Sequence, residues 1–216
     1  KMVDENALKK IRDDIARYKT AEKVTIVAAS KTVPPDVIAE AYELGITDFG
    51  ENRADELLSK YDKVPAGVKW HFIGRLQTNK VKHIIDKVVL IHSLDSERLL
   101  VEINRRAKQH SLVMPVLVEV NMGREEEKGG VFPEGTEALC QLCFQYPNVA
   151  LKGVMCVFPV NADTALYDEA EQLFYSLKAR FSLSVLSMGM SADYVTALQH
   201  GATMIRPGRA IFGERK

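Results

Sequence analysis

The chain predicts an α/β fold, a single (β/α)8 TIM barrel with an extra N-terminal helix, with residues 1–216 as one domain. Three observations lead there. Short apolar or β-branched runs alternate with amphipathic helical stretches along the whole chain, and eight such runs can be counted. Alternation demands parallel pairing, because each helix returns the chain to the starting end of the sheet. The third observation counts against the rival open sheet. No G-x-G-x-x-G follows the first strand, where residues 28–34 read AASKTVP, and no Walker sequence appears. Eight units leave about 27 residues each, near the lower limit for a barrel of roughly 200 residues. No linker, low-complexity tract or break in composition marks a second domain.

The elements follow in order. Residues 2–18 are charged and helix-like. Residues 24–31 (VTIVAASK) read as a buried strand, and 34–44 as a helix opened by prolines and closed by Gly45. A very short strand at 47–50 leads into a helix at 52–61. A strand at 68–73 precedes a helix at 78–86. The strand at 88–92 is followed by a long helix at 96–109, whose Leu99, Leu100, Ile103 and Ala107 recur at helical spacing. Next come a strand at 114–121 (MPVLVEVN) and a helix at 134–146, then a strand at 151–157 and a helix at 163–181. The last unit pairs a strand at 185–188 with a helix at 192–200, and a final strand covers 203–206.

Charge and composition remove several functions. There are 29 basic and 29 acidic residues, so no net field draws the chain to nucleic acid or an anionic membrane. No apolar stretch approaches the roughly 20 residues of a membrane span. The N-terminal segment lacks the apolar centre of a signal peptide, and the expected compartment is cytoplasmic. Cys140, Cys143 and Cys156 form no secreted framework. Cys140 and Cys143 stand as C-x-x-C inside a helical stretch with no second pair or nearby histidine, which points to buried helix-face cysteines. His71, His83, His92, His110 and His200 make no metal-ligand spacing, so no metal is expected.

A barrel of this kind carries its chemistry at the C-terminal ends of its strands. Those positions read Lys31, Glu51 with Asn52, His71 with Gly74, His92 with Ser93, Asn121, Cys156, Ser187 with Ser191, and Arg206 with Gly208. Strands end in polar residues for trivial reasons too, so the set carries more than any member. Lys31 is the sharpest. At the mouth of a barrel of low polarity its amine becomes available as a nucleophile toward an aldehyde. The plain alternative is a lysine that reaches water from a strand end. Ser191 before the 192–200 helix reads as a helix N-cap with outward N–H groups suited to a phosphate. The 206–213 turn (RPGRAIFG) brings a second glycine-containing turn, whose backbone amides can approach an anion. Closure of the barrel sets the first and last strands side by side.

Seven segments then appear in one order: AASKT around Lys31, FGENRADE at 49–56, WHFIGRLQTNK at 70–80, HSLDS at 92–96, VNMGREEEKGGV at 120–131, LSMGMSADY at 186–194 and IRPGRAIFGER at 205–215. With them the chain resembles the pyridoxal 5′-phosphate homeostasis protein family (YggS/PROSC type), related in fold to the barrel domain of alanine racemases. The resemblance implies that Lys31 holds pyridoxal 5′-phosphate (PLP) as an internal aldimine. It also implies that Ser191 and the Gly208-Arg209 turn take the phosphate, that Arg206 meets the pyridine nitrogen, and that Asn52 lies against the ring. Arg53 stands where the family usually has tyrosine, and Arg209 where a small residue is common. Lys128, in the charged 124–130 loop, becomes a candidate secondary site for cofactor transfer or regulation.

An arginine opposite the pyridine nitrogen keeps the ring unprotonated, which makes it a poor electron sink. The racemases also carry a second domain with a tyrosine acid/base, and no counterpart is expected here, where the tyrosines read as packing residues. The function expected is therefore a PLP carrier that supplies or buffers the cofactor for PLP-dependent apo-enzymes, a monomer with little or no catalysis. The alternatives are a small PLP-dependent amino-acid racemase and a cofactor-free lysine aldolase.

Overall fold

The computed structural model describes residues 3–214; Lys1, Met2, Arg215 (the end of the predicted last motif) and Lys216 lie outside the described residues. Eight parallel strands close into a barrel in sequence order: β1 (Thr25–Ala29), β2 (Asp48–Glu51), β3 (Lys69–Phe72), β4 (Val88–Leu94), β5 (Met114–Asn121), β6 (Val149–Val157), β7 (Val185–Ser187) and β8 (Met204–Ile205). The seam is made by Thr25 opposite Met204 and Ile26 opposite Ile205, so the first and last units are neighbours as expected.

Helices cover the outside: α1 (Glu5–Tyr18), α2 (Pro35–Glu43), α3 (Ala54–Tyr61), α4 (Thr78–Ile84), α5 (Glu97–Gln109), α6 (Thr136–Cys143), α7 (Thr164–Phe181), α8 (Tyr194–Gln199) and α9 (Arg209–Phe212). The extra helix α1 is capped by Asp4, whose side chain accepts from Ala7 N, and it rests on the last units through Tyr194 Oη donating to Asp14. The predicted face of α5, Leu99, Leu100, Ile103 and Ala107, is buried. Cys140 and Cys143 on α6 and Cys156 on β6 are buried too, and burial pushes each thiol up to about 12. Such thiols are inert near neutral pH.

The apolar core has two zones. The larger lies between sheet and helices and includes Phe49, Trp70, Ile91, Leu100 and Val118. The smaller fills the barrel itself with Leu90, Leu117 and Met155, flanked by Val157, Val185 and Met204. Strand alternation explains the division, since Val118 and Val120 face the helices while Leu117 packs inside.

Several boundaries differ from the periodicity. β1 stops at Ala29, so Lys31 stands in the turn beyond it rather than in the strand. β4 runs on to Leu94, which puts His92 inside the barrel rather than at a strand end. β6 begins at Val149, two residues before the predicted start. The helix predicted from Ala192 begins at Tyr194. Two short pieces, α9 and a 3-10 turn at Pro133–Gly135, give too few residues for any periodic signal.

Candidate functional site

The turn that carries Lys31 is held from both sides. Beyond β1, Ala29 N donates to Pro207 O and Ser30 N to Gly50 O, tying it to the neighbouring units. Lys60 of α3 lies beneath with 5% of its surface exposed, against 0% for Glu51. Its Nζ donates to Ser30 O at 2.9 Å, to Glu51 Oε1 at 2.8 Å and to Glu56 Oε1 at 2.7 Å. Ser30 Oγ donates to the same Glu51 oxygen at 2.8 Å, and Thr32 N donates to Glu56 Oε1. Thr32 has φ of 63°, a left-handed conformation uncommon for a β-branched residue. Lys31 is thus bracketed by two residues that one buried ammonium fixes through two carboxylates. Those carboxylates differ. Burial raises Glu51 despite its bond to Lys60, whereas the bonds from Lys60 and Thr32 overcome burial at Glu56 and lower it.

Across the seam, the expected phosphate turns meet. Ser191 is not a helix N-cap: Asp193 takes that position, because α8 starts two residues later than periodicity suggested. Asp193 instead pins the turn, its Oδ1 accepting from Met190 N at 2.7 Å and its Oδ2 from Tyr167 Oη. Tyr167 in turn stacks on Phe158, with centroids 4.0 Å apart. Ser191 Oγ accepts from Gly208 N at 3.1 Å and from Ala210 N at 3.0 Å. One serine oxygen therefore occupies a pair of converging backbone donors at the start of α9, the kind of nest that takes an anionic oxygen. A Cβ at Gly208 would meet Ala29 O at 3.0 Å, so a side chain there would press this turn away from the end of β1.

Lys31 and the Gly208-Arg209 turn border one cavity of about 260 Å³, lined also by Thr32, Val37 and Phe212. The exposed Arg209 lies 3.9 Å from Glu214. Asn52 follows β2, and Gly74 makes room for it: a Cβ at Gly74 would lie 2.5 Å from Asn52 O and 2.6 Å from its Cα. Gly74→Ala is expected to cost about 1–3 kcal/mol by forcing those backbones apart, read as a lowered denaturation midpoint. Arg53 reaches out to Asp55 in an exposed pair.

Arg206 is buried, and its Nη1 donates to Ser187 Oγ at 2.7 Å. Burial pulls it below the ordinary arginine value, and a guanidinium so placed stays charged. Glu119 also faces the barrel interior, by the alternation that places Leu117 there. Burial, with Asp95 nearby, pushes its carboxyl up to about 7 against the pull of Arg206 and Arg75. Asn121 turns away to hold the loop, donating to Glu125 O at 2.7 Å. Lys128 on that loop pairs with Glu125 and donates to Phe158 O at 3.4 Å.

The structure therefore gathers Lys31, Ser191, Gly208 and Arg209 around the seam, with Asn52 and Arg206 on adjoining strand ends. Lys60, Glu56, Asp193 and Glu119 escaped the sequence reading. Three of them left signals: Glu56 and Lys60 stand four apart on one helix, and Glu119 interrupts an apolar strand at an inward position.

The chain matches the family model for the alanine racemase N-terminal domain over residues 6–216. The pyridoxal phosphate homeostasis protein of Aquifex aeolicus is 46% identical over 198 residues, which cover 88% of this chain and 87% of that protein. The chain belongs to this family. PipY of Synechococcus elongatus PCC7942, solved with PLP bound, superposes with a TM-score of 0.84 at 29% identity, covering 96% of this chain and 99% of that one. An alanine racemase of Clostridium difficile 630 shares the fold at 15% identity, with a TM-score of 0.78 over 99% of this chain and 58% of that one.

Proposed function

We propose that residues 1–216 form a PLP-binding barrel domain whose task is to hold the cofactor on Lys31 and to supply or buffer it for PLP-dependent apo-enzymes, with little or no catalysis of its own. The observation that carries this reading is the cavity that Lys31 shares with Gly208, whose N–H converges with that of Ala210 on Ser191 Oγ. A lysine amine is the partner for the cofactor's aldehyde and a paired N–H nest for its phosphate. The kinship with homeostasis proteins and the PLP-bound PipY agree with it.

Each residue has a part. Lys31 would hold the cofactor through its amine, for which PLP would supply the aldehyde, with water released on condensation. Ser191 Oγ, Gly208 N and Ala210 N would hold the phosphate, the two amides being free to donate to it if the serine hydroxyl turns outward. Arg209 adds positive charge at the rim. Asn52 would hold the ring, and Arg206 its pyridine nitrogen. PLP supplies an aldehyde and an electron-withdrawing ring; the charged Arg206 keeps that ring unprotonated and weakens its pull on electrons. Holding without turnover follows. Lys128 is a candidate secondary site for cofactor transfer or regulation. We place the protein in the cytoplasm as a monomer; no helix among the described residues is long and apolar enough to cross a membrane.

Visible absorption of the purified chain with added PLP tests the reading. The parent protein is expected to develop an imine band that borohydride removes, and Lys31→Ala to show none. Incubation of the loaded protein with L-alanine should leave its optical purity unchanged, whereas the racemase alternative requires its loss. Absence of PLP uptake by the parent protein would refute the carrier and the racemase together.

A further inference from the structure

Below the mouth, four hydrogen bonds run through the barrel interior. Arg206 Nη1 donates to Ser187 Oγ at 2.7 Å; Ser187 Oγ lies 3.0 Å from His92 Nδ1; His92 Nε2 lies 2.9 Å from His71 Nδ1; and His71 Nε2 lies 2.8 Å from Asp48 Oδ1. The path crosses from β8 through β7, β4 and β3 to β2. Asp48 borders a cavity with Thr25 and Lys69 at the strand-start end, opposite the mouth that holds Lys31. The apolar layer of the same interior is Leu90, Leu117 and Met155, so two imidazoles exposed by only 2% and 0% are a costly choice there.

The two ends of the chain determine its direction. A guanidinium can only donate and a carboxylate can only accept. With both imidazoles neutral, one arrangement satisfies every group: Ser187 donates to His92 Nδ1, His92 Nε2–H to His71 Nδ1, and His71 Nε2–H to Asp48. Burial, with His71 and Arg206 nearby, pushes His92 well below the ordinary histidine value, which keeps it neutral. Burial raises Asp48, but the hydrogen bonds from His71 and Thr47 outweigh it and keep the carboxylate ionised. Arg206 makes no other side-chain hydrogen bond among the described residues, which leaves its remaining donors for a partner in the mouth.

We propose that Ser187, His92, His71 and Asp48 are positioning residues: they form a one-directional hydrogen-bond chain that aims Arg206 at the cofactor from the far end of the barrel. The proposal rests on the PLP reading for what Arg206 meets, but not for the chain itself. A chain with fixed polarity gives Ser187 Oγ a free lone pair toward Arg206 and so fixes the guanidinium without consuming the donors that face the ligand. Apolar residues at the histidine positions would leave Ser187 free to rotate and Arg206 free to swing.

Two measurements test it. In the protein without cofactor, 15N-resolved NMR of the histidine side chains is expected to show His71 and His92 both protonated at Nε2 and bare at Nδ1. Asp48→Ala, at the end of the chain farthest from the mouth, should lose that single tautomer at His71. A proton on His92 Nδ1 in the parent protein, or an unchanged His71 in Asp48→Ala, overturns the proposal whether or not PLP binds. With PLP carrying 15N in its ring, Ser187→Ala and His92→Phe are expected to weaken retention about tenfold, the value of one hydrogen bond to a charged group, and to move the ring-nitrogen resonance. Ser187→Thr, which keeps the hydroxyl, should restore both. Folded variants with the parent affinity and resonance would also overturn it. Failure of the parent chain to bind PLP would count against the carrier reading alone.

Discussion

Lys60→Met is expected to lower the unfolding free energy by about 3–5 kcal/mol, the range for removing one partner of a buried ion pair. The substitution keeps the length and apolar stem of the side chain and removes only the ammonium. Glu51, fully buried, would keep a hydrogen bond from Ser30 Oγ but lose its cation, and its Oε2 already lacks a partner. Ser30 O would lose its donor, and Glu56 would be freed from the contact that sets it against Thr32 N. Because these groups flank Lys31, covalent uptake of PLP should slow in the same variant. Urea denaturation measures the first effect and stopped-flow absorption the second. Adding Glu51→Gln to Lys60→Met should recover much of the lost stability by removing the uncompensated charge. A loss below about 1 kcal/mol would mean that water compensates the pair and that it does not brace the turn.

Glu119 predicts a pH dependence of similar size. Its carboxyl stands at about 7 in the fold against an ordinary value of 4.5, so the folded state binds the proton more tightly than the unfolded chain. Its contribution is fully present below pH 4.5 and is lost as pH rises toward and through about 7. The shift corresponds to about 3 kcal/mol. Glu119→Gln removes the titration while keeping the shape. Stability of the parent chain relative to this variant should therefore fall by that amount across the window and then level off. Denaturation curves at a series of pH values check it, and a difference constant with pH would place the carboxyl in water.

The two predictions rest on residues that differ in how readily the chain discloses them. The barrel was legible because strand–helix alternation repeats eight times and each repeat obeys the same geometry. Lys31, Arg206 and Gly208 stood out as candidates because strand ends are where a barrel exposes side chains to a ligand. Ser191 was expected at a helix N-cap, but an Asp193 side chain that ties back to Met190 delays the helix by two residues, and Ser191 instead accepts from Gly208 N and Ala210 N. Lys60 was hidden, since a helix lysine four residues after a glutamate reads as a surface pair, and only the burial of Glu51 from another strand makes it a core residue. The inner chain was hidden for a related reason. His71 and His92 lie far apart in sequence, and the register shift between Trp70 and His71 along β3 and β4 is set by packing rather than by any local pattern. Propensity reports what a residue does to its own backbone, whereas these contacts depend on which strands become neighbours.

The central claim is that Lys31 is the residue that holds PLP. Loading the full chain with PLP, reducing it with borohydride and mapping the pyridoxyl group by peptide mass spectrometry tests it most directly. A stoichiometric label is expected on the peptide containing Lys31. A label on Lys128 or Lys60 with Lys31 unmodified, or no label on a chain that takes up PLP, would contradict it.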